Sequence, residues 1–372
     1  MAQRPLKTGV IFGGMSAEHE VSWRSAKNVV LALDPGRYQA LPILIDKQGR
    51  WFSIDKEELL SDDSSPHRAV PDGRARILLG PDEGKLAVID QGSGRTLEKL
   101  DVVFPVLHGP HGEDGTLQGL CKIFQVPFVG PGVLASAVCM DKEVMKRLLV
   151  EQGIPTPKFL VFRTGALRAR DLEAVGRKLG YPVFVKPANL GSSVGISKVK
   201  SARSLPKALS YALKFDAKAL VEEFVEGREV ECSVLGNERP AASIPGEIVP
   251  AGRHGFYSYE AKYSDPDGAD LLIPAQLPPQ VVAAVRSLAV RSFVALGCEG
   301  MARADFFVRQ DGTVLVNELN TIPGFTNISM YPKLWEASGI SCRELVHRLI
   351  KLALARARRD AALSRSFDEP RR

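Results

Sequence analysis

Short apolar, β-branched runs alternate along the chain with longer segments whose apolar positions recur every three or four residues. The run "KTGVIFGG" reads as a buried strand entering a glycine turn, and "SAEHEVSWRSAKNVVLALD" behind it has helical spacing. "YQALPILID" and "DVVFPVLHG" read as further strands, "GTLQGLCKIFQ" as a helix, and "VPFVG" as the segment that closes the unit. Strand–helix alternation of this kind predicts a parallel α/β domain over residues 1–140. Within it, "SDDSSPHRAVPDGR", from Ser61 to Arg74, reads as a polar loop or insertion.

The pattern changes at Asp141. "DKEVMKRLLVEQGI" is an amphipathic helix ended by Gly153, and "TPKFLVF", "YPVFVKP", "GISKV" and "ALVEEFV" read as strands with the helix "DLEAVGRKLG" among them. This makes a second unit over 141–226. A third, over 227–358, holds strands "REVECSVLG" and "AASIPGEIVP", a long loop from Ala251 to Leu272, a helix over Pro279 to Leu296, a hairpin and a last helix from Cys342. Residues 359–372 form a basic tail.

A length of 372 residues suits two or three domains. The residues are 45% hydrophobic and 25% charged, ordinary values for a soluble protein. The net charge of +6 is partly local, in "ARARRDAALSRSFDEPRR" from Ala355. Neither stacking aromatics nor a recognition-helix pattern accompanies that tail, which argues against nucleic acid as the partner. Five scattered cysteines without metal-binding spacing fit a reducing compartment. The N-terminus lacks a secretory pattern and no long uncharged apolar run exists, so the expectation is a cytoplasmic, unanchored protein.

The candidate chemistry begins in "GMARADFFVRQDGTVLVNELNTIPGFT". Asp311-Gly312 is the signature of a two-residue hairpin turn. With that turn, Gln310 pairs with Thr313, Asp305 falls opposite Glu318, and Arg303 opposite Asn320. Val314, Val316, Glu318 and Asn320 then share one face. Like charges directly opposite are destabilising, unless hard cations such as Mg²⁺ sit between the oxygens. The competing reading is a strand end leaving the core. In "PVFVKPANLGSSVGISKV", Gly191, Ser192, Ser193 and Gly195 leave backbone N–H groups able to cup an anion, with Lys186 adding charge. It is neither a Walker loop nor a GxGxxG turn, and a glycine-rich hairpin is equally a plain structural turn. In "ALVEEFVEGRE", Glu222, Glu223 and Val225 lie where a backbone edge could meet a planar base, and Glu229 where a carboxylate could accept from ribose hydroxyls. In isolation this is also a solvated acidic strand end. Glu18 beside a helix N-terminus and His108 at a strand end have similarly plain readings, as a dipole partner and a polar cap.

The order of these motifs resembles the ATP-grasp superfamily. More narrowly, "GGMSAEHEVS", "LHGPHGEDGTLQG", "VGPGVLASAVCMDK", "VKPANLGSSVGISKV", "YEAKYSD", "GMARADFFV" and "NELNTIPGFT" resemble the D-alanine–D-alanine ligase family, from about Val10 to Ile350. The resemblance implies an ATP-grasp fold, α+β in the ATP-binding part, behind an N-terminal Rossmann-like parallel α/β domain. It implies ATP-dependent peptide-bond formation between two D-alanines through an acyl phosphate, in peptidoglycan precursor synthesis. Asp305, Glu318 and Asn320 would hold two Mg²⁺ or Mn²⁺ ions. Lys142, Lys186 and Lys262 would contact phosphates, while Ser192, Ser193, Glu222, Glu223, Val225, Glu229 and Asn317 would complete the ATP site. Glu18 would bind the first D-alanine's ammonium and His108 would lie near its carboxylate. Arg303 and the Gly324 N–H would stabilise the oxyanion. Ser329 and the Met330 backbone would take the second carboxylate. Ser192, Tyr263 and Glu18 would close the lid, and Lys262-Tyr263 argues for an amine acceptor over D-lactate. A homodimer is implied on the same ground. Ile322 and Asn327-Ile328 depart slightly from the family pattern. The rivals are another ATP-grasp carboxylate–amine ligase, a D-alanine–D-lactate-type ligase, and a nucleotide-binding regulator that does no chemistry.

Overall fold

The structure, a computed structural model, describes residues 4–61, 74–82, 85–165, 168–250 and 268–364. In the first region, β1 (Leu6–Gly13) runs into α1 (His19–Ala32), followed by β2 (Tyr38–Ile45), β3 (Trp51–Ser53) and α2 (Lys56–Leu60). A separate antiparallel sheet, β4 (Ile77–Asp82), β5 (Lys85–Asp90) and β6 (Thr96–Leu100), precedes β7 (Val102–Pro105), α3 (Thr116–Ile123) and α4 (Val133–Met140). The main sheet has the order β3-β2-β1-β7, with β1 parallel to both neighbours. Burial on both faces explains the unbroken apolar run Val10–Phe12 within β1. The closing segment "VPFVG" joins the sheet through a single parallel bridge, Val103 to Phe128.

The second region holds α5 (Lys142–Glu151), β8 (Phe159–Arg163), α6 (Ala169–Lys178), β9 (Val183–Pro187), β10 (Ser197–Val199), α7 (Leu205–Ala212) and β11 (Lys218–Glu223). Its four strands form an antiparallel sheet in the order β10-β9-β11-β8. Asp141 caps α5 by accepting from Val144 N at 3.1 Å.

The third region contains β12 (Arg228–Gly236), β13 (Ala241–Ala242), β14 (Gly246–Pro250), β15 (Ala269–Leu272), α8 (Pro279–Ala295), β16 (Gly300–Val308), β17 (Val314–Asn320), α9 (Met330–Ala337) and α10 (Cys342–Ala361). The sheet runs β15-β14-β12-β16-β17, with β13 pairing to β12. Its core face is built from Val230, Cys232, Val234, Ala302, Ala304, Phe306, Val314, Val316 and Leu319 against Val285, Leu288 and Phe293 of α8. The last helix turns back to the first region, where Leu345, Leu349 and Ile350 join one core with Phe12, Trp23 and Val29.

The β16–β17 hairpin differs from the sequence expectation. Arg309 N donates to Thr313 O at 2.9 Å, so the turn spans three residues rather than two, with Gly312 in the left-handed region at φ 85. Val308 therefore pairs with Val314 and Phe306 with Val316. A bulge at Asn317 takes up the extra residue, and Asp305 faces Glu318 and Arg303 faces Asn320 as expected. The bulge also reverses the strand's phase. Val314 and Val316 share the core face with Leu319, not with Glu318 and Asn320.

Candidate active site

A cavity of about 430 Å³ opens between the second and third sheets, in the size range of small-molecule sites. Phe184, Ile196, Phe224 and Phe307 give it apolar walls, and Lys142, Lys186, Glu222, Glu229, Asn317 and Glu318 add charge and hydrogen-bonding groups. Ser192, Ser193, Glu223 and Val225 also line it. The strand alternation of β12, β16 and β17 explains the split. Residues one step out of phase with the α8-facing core, such as Glu229, Phe307 and Glu318, face the opening.

Inside, Glu222 lies between two ammonium groups. Its Oε1 is 3.1 Å from Lys146 Nζ, and Oε2 pairs with Lys186. Burial alone would raise the Glu222 pKa, but Lys146 and Lys186 hold it below the usual carboxylate value. Burial alone would lower Lys186, but Glu222 and Glu318 hold it above its ordinary value. Lys186 Nζ also donates to Asn317 Oδ1 at 3.4 Å, the residue extruded by the bulge. Lys142, at the start of α5, donates to Leu190 O at 2.7 Å and sits 3.3 Å from Glu318 Oε2. One lysine therefore ties the base of the glycine-rich loop to the end of β17. Glu223 points elsewhere, accepting from Lys158 N at 2.9 Å.

Across the sheet, Glu231, Asp305 and Glu318 occupy directly paired positions on three adjoining strands. Such a row is repulsive unless cations compensate it. Here Arg303 does so in part. Its Nε donates to Asp305 Oδ1 at 2.7 Å and lies 2.8 Å from Glu231 Oε2, while Nη2 donates to Asp305 Oδ2 at 2.7 Å. Burial alone would depress the Arg303 pKa; Asp305 and Glu231 reverse that and hold it well above its ordinary value. Asn320 Nδ2 adds a 2.9 Å bond to Asp305. The donor set of Asp305, Glu318 and Asn320 is all oxygen apart from the Asn320 amide nitrogen, which suits a hard divalent cation.

The loop after β9 bends through Ser192 and Ser193, both in the left-handed region at φ 52 and 59. Ser192 Oγ donates to Glu18 Oε1, so the loop reaches the N-terminus of α1. Beyond β17, the chain turns at Gly324. A Cβ there would sit 2.7 Å from Ser329 Oγ, so glycine permits this close approach. Ser329 Oγ in turn accepts from Thr326 N at 2.9 Å, and Met330 opens α9.

The first region grips this turn. Asn28 Nδ2 donates to Phe325 O at 2.8 Å, and Phe325 N to Ser25 Oγ at 3.1 Å. His108 lies against Ile322 O through Nδ1 at 3.0 Å and Ser25 Oγ through Nε2 at 3.1 Å. The carbonyl can only accept, so Nδ1 carries the proton and Nε2 takes one from Ser25. Burial holds the His108 pKa below its ordinary value. Both nitrogens are engaged within the protein, which makes His108 a brace for the Gly324 turn in this geometry. Glu113 braces it from the other side, accepting from Gly109 N at 2.8 Å and Ile322 N at 3.2 Å. Burial and the nearby Glu18 charge push the Glu113 carboxyl up to about 8.

Sequence reasoning named neither Glu113, Glu231 nor Lys146. Glu113 lay within the quoted "LHGPHGEDG" motif, Glu231 two residues past Glu229 on one strand face, and Lys146 one helical turn after Lys142. Those spacings were the available signals. Lys262 and Tyr263 lie outside the described residues.

Two sheets facing each other across a charged cavity, beside a glycine-rich loop, are the architecture of an ATP-grasp enzyme. The family models described as D-ala D-ala ligase N-terminus and C-terminus match residues 7–131 and 148–351. The D-alanine–D-alanine ligase A of Chromobacterium violaceum is 49% identical over 362 residues, 97% of this chain and 98% of the relative. Among solved structures, the D-alanine–D-alanine ligase of Coxiella burnetii superposes with a TM-score of 0.84 at 38% identity, covering 96% of each chain. The VanG D-Ala:D-Ser ligase of Enterococcus faecalis gives 0.82 at 34% identity, covering 94% of this chain and 100% of that one. The chain belongs to the D-alanine–D-alanine ligase family.

Proposed function

We propose that the protein joins two D-alanines at the expense of ATP, releasing ADP and phosphate, for peptidoglycan precursor synthesis. The observation that carries this reading is the joint presence of three elements around one opening: the Lys142–Lys186–Glu222 cavity, the Asp305–Glu318 pair with Arg303, and the Ser192–Glu18 bridge. The ATP adenine lies against Glu222, Glu223 and Val225, the ribose near Glu229, and the phosphates against Lys142, Lys186 and the Ser192-Ser193 loop. Asp305, Glu318 and Asn320 would hold two Mg²⁺ or Mn²⁺ ions. Bound there, divalent cations supply neutralisation of phosphoryl charge.

The chain's own groups do the positioning. Glu18 takes the ammonium of the first D-alanine, whose carboxylate attacks the γ-phosphate of ATP to give an acyl phosphate. The amine of the second D-alanine, its carboxylate held by Ser329 and the Met330 N–H, attacks the acyl carbon. Arg303 and the Gly324 N–H hold the oxyanion before phosphate leaves. The brace of His108, Glu113, Ser25 and Asn28 fixes the Gly324 donor in advance of the reaction, which is how such donors avoid reorganisation cost. Closing of the loop by Ser192, with Tyr263 and Lys262, excludes water from the acyl phosphate. The reading also places the protein in the cytoplasm. Among the described residues no helix is long and apolar enough to cross a membrane. A homodimer is proposed as well, supported by Ile123 and Leu134, exposed apolar residues of α3 and α4.

Phosphate release with ATP and Mg²⁺, measured in parallel with D-alanine, L-alanine and D-lactate, tests this. Release with D-alanine alone is expected. Asp305→Asn should lower turnover by about a hundredfold or more with native circular dichroism; wild-type turnover in that variant refutes the ligand assignment.

A further inference from the structure

Arg303 poses a problem that the reaction alone does not solve. Its guanidinium is bound by two hydrogen bonds to Asp305, the same carboxylate assigned to a divalent cation. When Asp305 gives a lone pair to that cation, the cation draws charge from the carboxylate and the two bonds to Arg303 weaken, although both partners can share its oxygens. A guanidinium set loose at the edge of the opening would swing on three or more rotatable bonds, and its position at the oxyanion would be lost.

The structure supplies a second anchor. Glu231 stands directly opposite Asp305 on β12, and its Oε2 is 2.8 Å from Arg303 Nε. The Glu231 side chain is 8% exposed and that of Arg303 18%, so water does little to screen the pair. Glu231 lies on the far side of Asp305 from Glu318, since the three occupy successive strands. Ser233, the next residue on this face of β12, pairs in register with Arg303 but donates its hydroxyl to Tyr331 O at 3.2 Å. Glu231 is thus the β12 group on this face placed to hold the guanidinium.

We propose that Glu231 is a positioning residue that keeps Arg303 in place when Asp305 is committed to a divalent cation, the guanidinium passing from a shared grip to Glu231 alone. The proposal rests on the functional reading above. It makes Arg303 a cation-gated group: bound to Asp305 in the free protein, and presented to the reacting carbon once the cation and nucleotide are in.

The readout is the Arg303 Nε–H itself. In arginine-¹⁵N-labelled protein its resonance is assigned by its absence from Arg303→Lys, and its exchange with water is measured with and without Mg²⁺ and ADP. In the wild type, protection should change by less than about twofold on adding both. In Glu231→Gln it should be near wild type without them and drop about tenfold with them, because the neutral amide replaces a charge-assisted acceptor. Turnover should fall about tenfold with the KM for ATP within about twofold. Glu231→Asp, which keeps the charge on a shorter stem, should recover part of both and carries the test if the glutamine variant does not fold. Cation-independent protection in Glu231→Gln overturns the proposal, as does loss of protection in the wild type on adding Mg²⁺ and ADP. Calorimetry of Mg²⁺ and ADP with the wild type separates the two failures: no binding there, with no phosphate release from D-alanine, overturns the functional reading and this inference with it.

Discussion

Lys146 offers the sharpest test of how the cavity is built. Its ammonium is wholly buried, donates to Thr156 Oγ1 at 2.9 Å and lies 3.1 Å from Glu222 Oε1. At that separation and an effective dielectric near 20, the attraction is about 5 kcal/mol. Removing an ammonium from water costs several kcal/mol. The direction of the Lys146 pKa decides which wins. It is lowered, with burial the largest cause and Glu222 only partly offsetting it. Glu222, by contrast, is held below its usual value despite its burial, by Lys146 and Lys186, so the cost of burial falls on the lysine and the gain on the carboxylate, and the cost of Lys146→Met is mainly that of leaving Glu222 half-compensated. Breaking a buried pair costs about 3–5 kcal/mol when nothing replaces the partner. Here Lys186 remains on the other oxygen, so about 2 kcal/mol is expected, a melting shift of about 3 °C for a chain of 372 residues. The larger effect should fall on nucleotide binding. Without Lys146, Glu222 concentrates its charge on Lys186 alone and weakens the Lys186–Asn317 bond, and the KM for ATP should rise about tenfold, about 1.4 kcal/mol, while kcat changes less. Thermal denaturation and initial rates against ATP measure both. Glu222→Gln added to Lys146→Met should recover part of the stability, because the uncompensated charge is gone. A Lys146→Met protein with wild-type melting and wild-type KM would refute the reasoning, since it would mean Glu222 does not need its second cation.

Ser192→Ala removes the bridge to Glu18 and should lower turnover about a hundredfold with melting within about 0.5 kcal/mol of wild type, read by phosphate release and calorimetry. His108 predicts a pH effect: with its folded pKa below the ordinary 6.5, the unfolded chain takes up the proton first as pH falls. Its contribution is complete above pH 6.5 and drains below it by up to about 1.4 kcal/mol per pH unit, so His108→Gln should melt lower at pH 7.5 yet lose less between pH 6.5 and 5. Parallel melting curves for the two proteins over that range would contradict this. Arg356 donates to Gly130 O at 2.5 Å and Phe128 O at 2.6 Å from a buried position on α10, and Arg356→Leu should cost about 3 kcal/mol in urea unfolding by orphaning two carbonyls.

The fold was legible where local pattern governs it. The β1–α1 start, the helix after Asp141 and the two strands of the final hairpin follow from period and caps. The β4–β6 sheet, α4, α7 and α9 escaped, since each is short and draws its stability from partners distant in sequence. The same limit hid Glu113 and Glu231, whose roles depend on contacts with Ile322 and Arg303 across 209 and 72 residues, taken from their numbering. Charge and spacing sufficed to single out Lys186, Asp305, Glu318 and Asn320 as candidates, and the structure sets Asp305 opposite Glu318 and lines the cavity with Lys186 and Glu318.

The Asp305–Glu318 pairing was reached through a turn one residue too short, and it holds because Asn317 bulges by one residue. This compensation has a physical cause. Val314 and Val316 must face α8, and an unbroken strand would send Glu318 and Asn320 into that same apolar layer and Leu319 into the cavity. Burying an unpaired carboxylate there would cost far more than the lost ladder contact at a bulge. The core requires one phase and the site requires the other, so a strand serving both has to change phase between Val316 and Glu318. The residue extruded there is an asparagine, whose side-chain carbonyl meets Lys186. Asn317, the first polar residue after the apolar run Val314–Val316, was therefore the mark, in the sequence, of the point where the core ends and the site begins.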